Sequence, residues 1–176
     1  MKKSFLLLFI ALSGCAVNLK TTYDHQKDFN SYQTFCWMNG CEFTVTGPDY
    51  LSDEKLRASV KQSIINELEK KGMRYDENNP DLVIDFHITL VEESAIIHHR
   101  DEDEPFYYKP MDEVETINYL NRTLVIDMAD RKEGRMVWRS VVNGYMDTHP
   151  ELTEENLGKG IRQALKHFPP RPKPSR

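Results

Sequence analysis

The sequence predicts an α+β domain, a two-layer α/β sandwich with a mostly antiparallel sheet and two helices packed on one face. Three observations carry this expectation. From Leu82 to Val91 the even positions are all apolar (Leu82, Ile84, Phe86, Ile88, Leu90), which is the period of a strand with one buried face. Leu56, Val60, Ile64 and Leu68 recur every fourth residue, the stripe of an amphipathic helix. Leu157, Ile161, Leu165 and Phe168 repeat that spacing near the end of the chain. Two helical stripes and an apolar strand face can cover one another only as two layers.

The elements follow in order. Residues 16–30 are a polar lead-in with an edge strand near residues 19–23. Residues 32–37 are aromatic and β-branched and predict a strand. Gly40 and Gly47-Pro48 punctuate the loop behind it. A helix is expected over residues 53–71, with Ser52 as N-cap, Asp53 and Glu54 in its first turn, and Lys70-Lys71-Gly72 as its stop. Pro80 precedes the alternating strand. The acidic stretch from His98 to Glu113 predicts a long loop. A second long strand spans residues 115–129, and Asp130-Arg131-Lys132-Glu133-Gly134 is a polar turn. An antiparallel strand returns over residues 135–146, and a last helix covers residues 153–167 before Pro169-Pro170.

The N-terminus has a different logic. Lys2 and Lys3 precede an unbroken apolar run of eight residues, Phe5 to Leu12. A spanning helix needs about 20 such residues, so the run has signal-peptide length. Leu12-Ser13-Gly14-Cys15 follows. This resembles the lipobox of bacterial lipoproteins, which implies lipid transfer to the Cys15 sulfur and cleavage after Gly14. The organisation expected is a signal over residues 1–14, a lipidated lead-in over 15–30, one domain over 31–168 and a basic Pro-rich tail over 169–176. Membrane lipid held through acylated Cys15 is the first expected partner. Ala16 stands where Asp would mark inner-membrane retention, which implies the outer membrane of a Gram-negative envelope.

The chain has 176 residues, 39% apolar and 29% charged, with a formal charge of −5. Loss of Lys2 and Lys3 with the signal makes it −7. No stretch of the body is strongly basic, so nucleic acid is excluded as a partner.

Several segments together are similar to the domain-of-unknown-function 4136 lipoproteins. They are Asp28-Phe29-Asn30-Ser31-Tyr32-Gln33-Thr34-Phe35 with Trp37; Lys71-Gly72; Asn79-Pro80-Asp81-Leu82-Val83-Ile84; Thr123-Leu124-Val125-Ile126-Asp127 with Asp130; Val137-Trp138-Arg139; and Phe168-Pro169-Pro170. The resemblance covers roughly residues 20–170. It implies an envelope lipoprotein with a mixed α/β domain, and no particular activity. The Cys36/Cys41 pair and the acidity of the His98 to Glu113 stretch depart from it.

Candidate sites are few. Cys36 and Cys41 would meet an oxidising compartment after export, where a bond closing so short a loop stabilises by about 2 kcal/mol. If Asn39-Gly40 makes a two-residue hairpin, the cysteines are diagonal and too far apart. If residues 37–40 all form the loop, they face each other and can bond. Asp85, His87, Asp127 and Arg139 are expected on the outward sheet face with Val83, Val91, Val125, Val137 and Val141. Carboxylate, imidazole and guanidinium together allow acid–base chemistry. Cross-strand ion pairs on a solvated sheet face account for them better, and the valines favour docking to an envelope protein. His98 and His99 beside Asp101 to Glu104 allow a divalent-metal or ligand module, yet their spacing matches no zinc site. No nucleophile elbow, phosphate loop or paired-histidine helix occurs. The expectation is a non-enzymatic interaction protein, with no metal or cofactor.

Overall fold

The computed structural model describes residues 17–38, 44–47, 54–99, 113–151 and 153–171. Among the described residues, seven strands form one mixed sheet: β1 (Asn18–Tyr23), β2 (Thr34–Trp37), β3 (Thr44–Thr46), β4 (Arg74–Tyr75), β5 (Leu82–His99), β6 (Glu113–Asp130) and β7 (Arg135–Met146). The helices are α1 (Glu54–Glu69) and α2 (Glu154–Ala164). The strand order is β1-β7-β6-β5-β2-β4, with β3 also pairing β5.

The alternation of β5 decides which face is covered. Leu82, Ile84, Phe86 and Leu90 are buried, as are Ile126 and Met128 of β6 and Trp138 and Val142 of β7. Against them pack Val60, Ile64 and Leu68 of α1 and Ile161, Ala164 and Leu165 around α2. The two stripes thus do what their spacing predicts. Thr153 caps α2, its Oγ1 accepting from Asn156 N–H at 3.2 Å. Ser140, fully buried on β7, donates to the Ala164 carbonyl at 2.8 Å and ties the end of α2 to the sheet. Helix α1 stops where Gly72 takes φ +89°, a left-handed value open to a residue without Cβ. Met73 N–H then bonds back to the Leu68 carbonyl at 3.1 Å.

Four departures from the sequence expectation have physical causes. First, β2 runs parallel to β4 and β5, because α1 carries the chain back to the end from which β2 starts. Second, β1 lies within the lead-in and pairs with β7 over six residues, so the packed domain begins at Asn18 rather than at residue 31. Third, β5 does not end at Val91. It continues to His99, paired residue for residue with β6 from His99↔Glu113 inwards, so the expected loop from 98 to 113 is shorter at both ends. Beyond Leu90 and the neighbouring Leu120 no described side chain of the ribbon is buried on either face, and without a buried face nothing imposes alternation. Fourth, Val137 is not on the outward face. The register between β6 and β7 shifts after Met128, where Trp138 pairs with Met128 but Met136 with Ala129. This bulge turns Val137 inward, where it is 1% exposed beside Trp138.

Ser52 and Asp53, expected at the start of α1, lie outside the described residues.

Candidate functional site

The face of the sheet away from the helices carries the polar positions of β5, β6 and β7. Asp85 pairs with Asp127 in register, and Asp127 with Arg139, so three candidate residues form one row. His87 lies two residues along the same face. Arg139 grips Asp127 with two bonds of 2.6 Å, Nε to Oδ1 and Nη2 to Oδ2. His87 Nε2 lies 2.9 Å from Asp85 Oδ2. The two carboxylates face each other across the strands, and each has its own cationic or imidazole partner. Val83, Val125 and Val141 are half-buried between these pairs. The groups expected for acid–base work are therefore brought together, on an open surface and engaged with one another.

Towards the far end of this face the chemistry changes. Val91 pairs with Asn121, which pairs with Tyr145. Glu93 faces Tyr119. Tyr119 donates its phenol to Glu93 Oε2 at 3.0 Å, and Asn121 Nδ2 donates to Glu93 Oε1 at 3.2 Å. Tyr119 and Tyr145 meet edge to face with centroids 5.3 Å apart. Val91 is 49% exposed and Tyr145 66%. An oriented pair of tyrosines beside an exposed valine, on a face no helix covers, is the strip most available for docking. The sequence reading included Val91 but missed the tyrosines. Their signal is two aromatics, Tyr119 and Tyr145, at odd positions that parity assigns to the outward face, which a polar face does not require.

Beyond this strip β5 and β6 continue as a two-stranded arm. Ile96 and Val114 are exposed on one side of it, Ile97 and Ile117 on the other.

A cleft of about 430 Å³ opens at the opposite end of the sheet, lined by Phe29, Gln33, Lys71, Arg74 and Phe168 among others. Three of the segments that carry the family resemblance, residues 28–35, 71–72 and 168–170, meet around it, and their roles there are structural. Asp28 Oδ1 accepts from Asn30 N–H at 3.0 Å and caps the turn Phe29–Ser31. Phe29 stacks edge to face on Tyr32 and Phe168. Asp81 Oδ2 accepts from the backbone N–H groups of Gln33 and Thr34 and from Thr34 Oγ1, all within 2.9 to 3.0 Å. Those donors hold the Asp81 carboxyl below its ordinary range, with the Gln33 bond the largest influence and burial opposing.

Cys36 is buried on β2, and its Sγ donates to the Trp37 carbonyl at 3.2 Å. Burial pushes its thiol up from the ordinary value. Cys41, like Cys15, lies outside the described residues, as do residues 100–112 of the acidic stretch. Among the described residues no three metal-ligating side chains cluster. No described helix is long and apolar enough to cross a membrane.

A family described as a domain of unknown function (DUF4136) matches residues 19–170. No curated protein matches the chain. Among solved structures, a PDZ domain protein from Parabacteroides distasonis is similar over 89% of this chain at 20% identity, with a TM-score of 0.54. This chain covers 36% of that protein's length. A DUF4136 family protein from Bacteroides thetaiotaomicron is similar over 87% of this chain and 96% of its own, at 17% identity and a TM-score of 0.51. At such identities the likeness is one of fold.

Proposed function

The chain belongs to the DUF4136 family, a domain of unknown function, and from that premise we propose that it is a membrane-anchored envelope lipoprotein without enzymatic activity, whose open sheet face binds a protein partner. The anchor is acylated Cys15, and Ala16 directs it to the outer membrane. The strip of Val91, Tyr119 and Tyr145 is the observation that carries the docking part. Val91 and Tyr145 are exposed there, Tyr119 is held by its bond to Glu93 and meets Tyr145 edge to face, and the strip continues the ion-paired face around Asp85, His87, Asp127 and Arg139.

Charge selects the partner. Between residues 91 and 117 the sequence holds nine carboxylates and only two Lys or Arg side chains, Arg100 and Lys109. That excess of seven negative charges equals the formal charge of the whole mature chain. A complementary surface offers apolar contacts rimmed with lysine or arginine.

The test uses the acylated protein extracted from membranes in mild detergent. Val91→Asp with Tyr145→Asp should abolish retention of the partner while leaving the melting temperature within a few degrees, since both side chains are exposed. Unchanged retention would overturn docking through this strip. Labelled fatty acid should enter the parent protein and not Cys15→Ser; equal labelling would overturn the anchor.

A further inference from the structure

We infer that the tip of the β5–β6 arm lies along the bilayer that holds Cys15, with Ile96, Ile97, Val114 and Ile117 in its headgroup interface; this rests on the acylation of Cys15 proposed above.

The sheet register sets the geometry. Asn18 pairs with Asn143, Asn143 with Thr123, and Thr123 with Thr89, so the four residues form one row across the sheet. β1 runs opposite to β5, so the chain ahead of Asn18 leaves the row on the side to which β5 advances. Cys15 is three residues ahead of Asn18, and three residues span at most about 10 Å however they are arranged. Ile97 is eight residues beyond Thr89, about 26 Å along a strand. Each of the three steps from β1 to β5 adds a twist of roughly 20–25°, so the arm slants about 60–75° from the line of β1 and rises only about 7–13 Å above the row, about as far as the anchor reaches.

Any deeper course would carry the edges of the ribbon into hydrocarbon. The arm does not tolerate this. β7 ends at Met146, opposite Leu120, and β3 pairs with β5 only as far as Thr89. Among the described residues no strand pairs with either outer edge of the ribbon beyond those points. Its outward N–H and C=O groups need water or headgroups, which hydrocarbon does not supply. The arm therefore reclines along the surface.

A reclining arm brings its tip to the interface. There Ile96 is 62% exposed, Val114 53%, Ile117 39% and Ile97 38%, with two of these side chains on each face of the ribbon. All four are apolar, and among the described residues nothing buries them. Tethering raises the effective concentration of the surface, so a weak contact is populated. Glu92, Glu93 and Glu115 on the same arm favour zwitterionic over anionic headgroups.

The experiment places the acylated protein in phosphatidylethanolamine and phosphatidylcholine vesicles with brominated acyl chains. Its acyl groups are first verified by mass. Ile96→Trp and Ile117→Trp should lose emission to bromines placed high in the chain and little to bromines near its end. Thr22→Trp, exposed on β1 on the other side of the row, should match the parent. Replacing part of the lipid with phosphatidylglycerol should weaken the quenching at both tip positions. Absence of quenching in verified acylated protein overturns the inference and leaves the anchor standing, and contact between tips of two copies would give this same result. Stronger quenching from the chain end overturns the reclining arm. A protein without acyl groups at Cys15 overturns the anchor reading and this inference with it.

Discussion

The phenol of Tyr32 donates to Asp130 Oδ2 at 2.9 Å, joining residues 98 positions apart. Asp130 also receives the backbone N–H groups of Lys132 and Glu133 through Oδ1, at 2.8 and 3.0 Å. Lys27 approaches the same carboxylate at 3.6 Å and pairs with Glu133. One carboxylate thus shapes the β6–β7 turn and fastens it to the segment entering β2. Tyr32→Phe should cost about 1 kcal/mol, the net value of one such bond. Asp130→Ala should cost more, on the order of 2–3 kcal/mol, because it strands several donors at once. Urea denaturation of the two variants checks the order.

Asp130 and Asp81 also set the acid limit of the fold. Burial pushes the Asp130 carboxyl up, but the Glu133 N–H, the Tyr32 phenol and the Lys132 N–H outweigh it and hold the group below its ordinary value. Asp81 is held down in the same direction by Gln33 and Thr34. Both carboxyls thus bind protons more weakly in the folded chain than in the unfolded one. Their stabilisation is complete above the unfolded value, about 3.9, and is lost as pH falls through the lower folded values. The urea midpoint should be flat around neutrality and fall below about pH 4. Asp81→Asn should lower the midpoint at neutral pH and make the acid fall shallower. An equally steep fall would show that other carboxyls govern it.

Ser140 tests how α2 is attached. Its hydroxyl is buried and bonded to the Ala164 carbonyl, so Ser140→Ala leaves that carbonyl without its side-chain partner. The cost should be about 1–2 kcal/mol. Hydrogen exchange should quicken in α2 more than in β5, because the lost bond is local to the helix end.

The Asp127–Arg139 pair should matter little for stability. Its side chains are 17% and 44% exposed, so water screens the interaction. Arg139→Ala should cost under about 1 kcal/mol despite its two short bonds. If the face docks a partner as proposed, the same variant weakens that binding more than it weakens the fold, and the two measurements together separate the roles.

Packing depth makes the opposite case. Ile64 is fully buried on α1, and Ile64→Ala should cost about 2–5 kcal/mol through lost transfer energy and a residual cavity. Thermal unfolding of this variant beside Arg139→Ala compares the two faces of the sheet directly.

Much of this architecture was legible one residue at a time. Alternation in β5 announced the covered face, four-residue spacing announced both helices, and the polar run at 130–134 announced the hairpin between β6 and β7. The shared outward face of Asp85, His87, Asp127 and Arg139 followed from parity alone, since a strand sends every second side chain to the same side, while their row needed the registers. Parity failed at Val137, because a bulge is a property of two strands and one strand's sequence does not display it. It was silent on the arm, where exposure on both faces removes the pattern that burial imposes.

The sequence by itself determined the period of each element and therefore the face each must bury, because burial acts on side chains whose spacing is written in the chain. Tertiary structure alone decided what depends on distant pairing. It set β2 parallel to β5, joined Tyr32 to Asp130, and put the start of β1 in one row with Thr89. That last alignment puts the arm and the start of β1 at the same end of the sheet, and it exists only once four strands have chosen their registers.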